Sequence, residues 1–143
     1  MIPEFNNYGN LPKGIHLVTI SEFKKRFVNS IKREELFIGI ERLMKDLRKF
    51  NCKAIYIDGS YVTDNPSPKD IDVLWEDDNI EYPFAELMLP ILFESNIDIK
   101  RAYGFYVYPA NYNVTGIGLT FLNFFQLDKA SGTPKGIIKI KIN

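Results

Sequence analysis

Apolar and polar positions alternate in three distinct rhythms along this chain. In "IKREELFIGIERLMKDLRKFN", residues 31–51, the apolar side chains Leu36, Phe37, Ile40, Leu43, Met44, Leu47 and Phe50 recur in steps of one, three and four. That spacing keeps one helical face apolar and predicts a helix. Lys45, Arg48 and Lys49 fall in its last turns, where cations suit the helix dipole, and Asn51 is placed to stop it. A shorter helix is predicted in "TISEFKKRF", with Thr19 or Ser21 as its N-cap. "KAIYIDG" is a short apolar run and reads as a buried strand. "DIDVLWE" alternates, with Ile71, Val73 and Trp75 on one face and Asp70, Asp72 and Leu74 on the other.

Between those two strands, "TDNPSPK" is a loop by composition. "PFAELMLPILFES" predicts a helix, with Pro83 in its first turn and Pro90 bending or breaking it. "AYGFYVYP" predicts an aromatic strand ended by Pro109, and "GIIKIKI" a final alternating strand. "GIGLTFLNFFQLD" fits helix or strand; helix is the preferred reading. Residues 1–20 hold Pro3, Gly9, Pro12 and Gly14 and predict a mostly irregular arm. The order α-β-β-α-β-α-β predicts one mixed α/β (α+β) domain over 1–143.

Composition narrows the class. The chain has 143 residues, 45% hydrophobic, with 11 Phe and 8 Tyr, which argues against disorder. No apolar run approaches the roughly 18–20 residues that span a bilayer, so no membrane partner is expected. The first residues, "MIPEFNNYGNLPKG", lack the basic and apolar regions of a signal peptide, and a cytoplasmic protein is expected. A single cysteine, Cys52, excludes an internal disulfide framework and a cysteine-cluster zinc site.

The formal charge is zero, yet the charges are segregated. Residues 13–53 carry 11 basic and five acidic side chains, whereas residues 58–98 carry 11 acidic ones and a single base, Lys69. A uniformly basic duplex-DNA binder is not patterned this way. The acidic middle would repel phosphate unless cations bridge the two.

Within that acidic middle lies "AIYIDGSYVTDNPSPKDIDVLWE", residues 54–76. Asp70 and Asp72 stand two apart in a predicted strand, so their carboxylates share a face and repel each other. A divalent cation offsets that repulsion, and Mg²⁺ favours a few carboxylates together with substrate phosphates. The Gly59–Ser60 turn supplies the complementary half: Gly59 permits close backbone approach, and backbone N–H groups and the Ser60 hydroxyl can bond phosphate oxygens. Adjacent strands would bring the two halves together. Lys135, in "SGTPKGI", is a further candidate for reaching a phosphate. Of the remaining chemically capable residues, His16 and Cys52 read better as structural groups, and Trp75 as a core residue.

Ile57, Gly59, Ser60, Asp70, Ile71, Asp72 and Val73 together resemble the signature of the nucleotidyltransferase superfamily, which includes DNA polymerase beta and the minimal bacterial nucleotidyltransferases. A wider resemblance runs through "LPKGIHLVTISEFKKRF", "CKAIYIDGSYVTDNPSPKDIDVLW" and "FLNFFQLDKASGTPKGIIKIKI", which look like a bacterial family described only as nucleotidyltransferase-like. The resemblance implies a small mixed β-sheet flanked by helices. It implies Mg²⁺-dependent transfer of a nucleoside monophosphate from a nucleoside triphosphate to a hydroxyl of a protein or tRNA partner. Small relatives of this kind act in toxin–antitoxin or phage-defence pairs. Active members usually add a third carboxylate from a later strand. "AYGFYVYP" has none, and Asp98 is the nearest acid, serving if that strand begins earlier. Without a third acid the resemblance implies the other reading, a degenerate fold that binds nucleotide or a partner as an antitoxin or regulator.

Overall fold

The computed structural model describes residues 2–69, 71–128 and 130–142. Five strands form one mixed sheet: β1 (Gly14–Val18), β2 (Ala54–Asp58), β3 (Asp72–Trp75), β4 (Tyr106–Pro109) and β5 (Gly136–Lys141). Their spatial order is β1-β5-β2-β3-β4. The inner pairs β5–β2 and β2–β3 are antiparallel, and the outer pairs β1–β5 and β3–β4 are parallel. The expected mixed α+β class is therefore present. The arm is less irregular than its Pro and Gly content implies: Gly14–Val18 adds an edge strand, aligned by the main-chain bond from Gly136 N to Leu11 O at 3.0 Å.

Helices α1 (Ile20–Phe27), α2 (Ile31–Leu47) and α4 (Asn96–Tyr103) cover one sheet face, with α3 (Tyr82–Met88) beside them. Thr19 caps α1 in a reciprocal capping box with Glu22, and Asn51 ends the turn after α2 with φ 62°. Phe23, Phe37, Ile40, Leu43 and Leu47 pack there on Ile57, Val73, Trp75 and Ile138. α3 stops before Pro90, where the missing N–H forbids continuation, and a short 3₁₀ turn follows.

Two assignments change. The segment before β4 is helical: Ser95 accepts the Asp98 N–H at 3.3 Å and caps α4, so the aromatic strand begins only at Tyr106. In "GIGLTFLNFFQLD" the helix is a single turn, α5 (Phe121–Phe124), which starts where Thr120 accepts the Asn123 N–H. Beyond it, an isolated bridge of Leu127 to Pro134 turns the chain toward β5.

Gly39 sits where α2 crosses the end of α4. A Cβ at this position would overlap the Tyr103 carbonyl oxygen and press on the Phe105 ring. Gly39→Ala raises helix propensity by about 1 kcal/mol, but overpacking against backbone costs about 1–3 kcal/mol. A net loss of stability of up to about 2 kcal/mol is expected in urea titrations, and a more stable variant would contradict this packing.

Candidate active site

The second sheet face is only partly covered. Phe121, Leu122, Phe124 and Phe125 lie over Tyr56, Leu74, Tyr108 and Ile137 at one end. At the other end the face carries carboxylates. β2 and β3 pair so that Asp58 is directly opposite Asp72. Since Ile57 and Val73 point into the helical layer, alternation sends both carboxylates to this second face. Directly opposed residues in an antiparallel pair hold their Cβ atoms about 4.5–5.5 Å apart, so two anions here repel. Both are enclosed: Asp58 is 2% exposed and Asp72 6%.

A lysine offsets part of that charge. Lys135 Nζ lies 3.1 Å from Asp58 Oδ1, and both side chains are largely buried. Lys135 is the last residue before β5, and its N–H is held by Gln126 O at 2.8 Å. This lysine is a candidate for reaching a phosphate from its place in the sequence; in the structure its ammonium is on Asp58.

Gly59 follows β2 immediately, with φ 91°, a conformation that strongly favours glycine. It leads into a single 3₁₀ turn, Ser60–Val62, with Gly59 buried and Ser60 half-buried. The Gly-Ser turn and Asp72 therefore meet at one rim of the sheet, as the spacing predicted. The loop beyond is held by Arg33 from the first turn of α2. Its guanidinium donates to the carbonyls of Phe27 (3.1 Å), Tyr61 (2.6 Å), Thr63 (3.2 Å) and Asn65 (2.7 Å). The Tyr61 ring lies 4.9 Å from the guanidinium, and the Tyr61 hydroxyl donates to Arg33 O at 2.8 Å. Burial pulls the Arg33 pKa down, with Tyr61 opposing.

The other sequence candidates separate from this rim. Asp98 lies in the first turn of α4, on the helical side of the sheet, bonded by Ser95 Oγ at 2.9 Å and 3.9 Å from Arg101. The residue in register with Asp72 on β4 is Tyr106, whose ring carries the Lys100 ammonium at 4.9 Å. Asp70 lies outside the described residues. His16 bonds the Pro12 carbonyl at 2.7 Å, and Trp75 is a core residue. Cys52 is buried, which raises its thiol pKa to about 11 and makes it a poor nucleophile.

Asp58 and Arg33 join the site only in the folded chain. Asp58 was detectable as the charged last residue of an otherwise apolar strand run. Arg33 left a fainter trace, a cation in the first turn of a helix, where the dipole disfavours it. Further along the same face, Tyr56 Oη and Lys139 Nζ both bond Glu76 Oε1, at 3.2 and 2.9 Å. Burial raises the Tyr56 pKa, with Glu76 adding and Lys139 opposing.

The oxygen donors Asp58 and Asp72 fit the hard-donor preference of Mg²⁺, and their repulsion gives a cation something to relieve. Among the described residues, no group of three or more His, Cys, Asp or Glu side chains is placed to hold a metal ion. Among the same residues, no helix is long and apolar enough to cross a membrane.

A family described as "Family of unknown function (DUF6932)" matches residues 3–141. No curated protein and no solved structure matches the chain.

Proposed function

This chain belongs to the DUF6932 family, and from its carboxylate rim we propose a Mg²⁺-dependent nucleotide site that performs nucleotidyl transfer. One observation carries the reading: the register pair Asp58–Asp72 stands beside the Gly59–Ser60 turn on the less covered sheet face. Asp58 and Asp72, with Asp70 as the sequence resemblance implies, would hold the metal. Bound there, Mg²⁺ would neutralise phosphate charge and polarise the α-phosphorus. The Gly59–Ser60 turn would orient the β- and γ-phosphates through backbone N–H groups and a hydroxyl. An acceptor hydroxyl of a protein or tRNA would pass its proton to water and bond to the α-phosphorus as the bond to the pyrophosphate leaving group breaks. The protein's share is positioning and electrostatics.

A specific observation favours a second reading, in which the fold binds nucleotide or a partner without turnover. Lys135 already places a cation on Asp58, and β4 offers Tyr106 beside Asp72 rather than an acid.

Isothermal titration with ATP, with and without Mg²⁺, followed by a pyrophosphate assay, separates the two. Mg²⁺-dependent binding with pyrophosphate release is the expected result. Binding without release would favour the second reading, and no binding in either condition would defeat the nucleotide site in both.

A further inference from the structure

The ion pair between Lys135 and Asp58 joins two side chains that are 17% and 3% exposed, so the carboxylate is enclosed and the ammonium keeps only a partial contact with water. Lys135 approaches from the α5–β5 connection rather than from within a strand. Its main-chain position is set by the bond to Gln126 and by the Leu127–Pro134 bridge. The side chain can therefore leave Asp58 without breaking a sheet hydrogen bond.

A divalent cation binding to Asp58 and Asp72 would compete with the ammonium for the same carboxylate. Beside the enclosed Asp58 carboxylate the two cations would repel, because water screens them less than at an open surface. An ammonium displaced from Asp58 stays tethered at the rim, where a triphosphate would present anionic oxygens.

We propose that Lys135 is the resident counter-ion of this site: it neutralises Asp58 while the site holds no nucleotide, yields that carboxylate to the divalent cation, and transfers to a phosphate of the incoming nucleotide. The proposal rests on the nucleotide reading above and adds an exchange of partners with a definite sign. A lysine that only completes a structural ion pair would lose stability on truncation without improving metal binding. A lysine that only binds phosphate would leave metal affinity unchanged.

The test is calorimetry on wild type, Lys135→Met and Lys135→Arg, with MgCl₂ alone and with Mg²⁺ plus a non-hydrolysable ATP analogue. Lys135→Met is expected to bind Mg²⁺ alone about tenfold more tightly than wild type and the Mg²⁺–nucleotide about tenfold more weakly, changes in the range measured for close charge pairs. Lys135→Arg, which keeps the charge, is expected to restore weak Mg²⁺ binding. A second measurement avoids any folding defect of the variants. In the wild type, acetylation of Lys135, read by peptide mass spectrometry, should be slow alone, rise with Mg²⁺, and fall again when the nucleotide analogue is added. Equal Mg²⁺ affinity in wild type and Lys135→Met, or acetylation indifferent to Mg²⁺, overturns the counter-ion role even if wild type binds Mg²⁺–nucleotide well. Wild type that binds Mg²⁺ but no nucleotide overturns the transfer to phosphate and the nucleotide reading together.

Discussion

Asp72→Asn is expected to weaken Mg²⁺-dependent nucleotide binding about hundredfold at little or no cost in stability. The two halves of this result have one cause. Asp72 faces Asp58 in a directly opposed cross-strand pair, and opposed like charges destabilise a sheet by a few tenths to about 1 kcal/mol. Asparagine keeps the shape and removes the charge, so unfolding is unchanged or shifts slightly upward. The same change removes half of the described anionic charge that would attract a divalent cation. A loss of about hundredfold in Mg²⁺–nucleotide affinity corresponds to about 2.7 kcal/mol, a reasonable share for one carboxylate ligand in an enclosed place. Asp58→Asn provides the contrast. It weakens binding similarly, but it also takes the Asp58 carboxylate from the Lys135 ammonium, 17% exposed, so it lowers stability more than Asp72→Asn does. Thermal melts and calorimetry on the two variants check this. Equal destabilisation of both would contradict the like-charge account, and unchanged nucleotide affinity in both would remove the site.

Arg33→Met is expected to be the most destabilising single substitution considered, with a loss of about 4 kcal/mol. The Arg33 side chain is buried and donates to four main-chain carbonyls, those of Phe27, Tyr61, Thr63 and Asn65. Methionine fills much of the volume and donates nothing, so several carbonyls lose their partner at about 1 kcal/mol or more each. For a chain of this size about 4 kcal/mol corresponds to a fall in Tm on the order of 10 °C. Arg33→Lys should recover only part of it, because one ammonium cannot reproduce the planar fork that reaches four oxygens. The loop that Arg33 ties down begins at the Gly59–Ser60 turn, so the folded fraction of either variant should also bind nucleotide more weakly. A Tm within about 3 °C of wild type for Arg33→Met would mean that the four bonds are replaced by water at little cost.

Several features were legible in the residues alone because their causes are local. The step pattern of 31–51 places a helix whatever lies beside it, and α2 occupies Ile31–Leu47. Alternation in "DIDVLWE" assigns Trp75 to the core and Asp72 to the opposite face, which the packing of Trp75 bears out. Pro90 ends α3 because it has no N–H to donate. Gly59 and Ser60 read as a turn, and they form one.

Other features depended on which strands become neighbours, and no local pattern carries that. Asp58 becomes a site residue only through the β2–β3 register, which sets it opposite Asp72. Lys135 reaches Asp58 only because β5 lies next to β2 although the two are far apart in sequence. Asp98 serves as a third acid only if the aromatic strand begins earlier; the Ser95 cap makes its segment a helix instead and sends Asp98 to the other side of the sheet. Arg33 gains its importance from carbonyls in two separate chain segments, the end of α1 and the 61–65 loop, which only the folded chain brings within reach of one guanidinium. Periodicity records which face a residue prefers, whereas pairing partners and ion pairs between distant segments are set by the free energy of the whole packed chain.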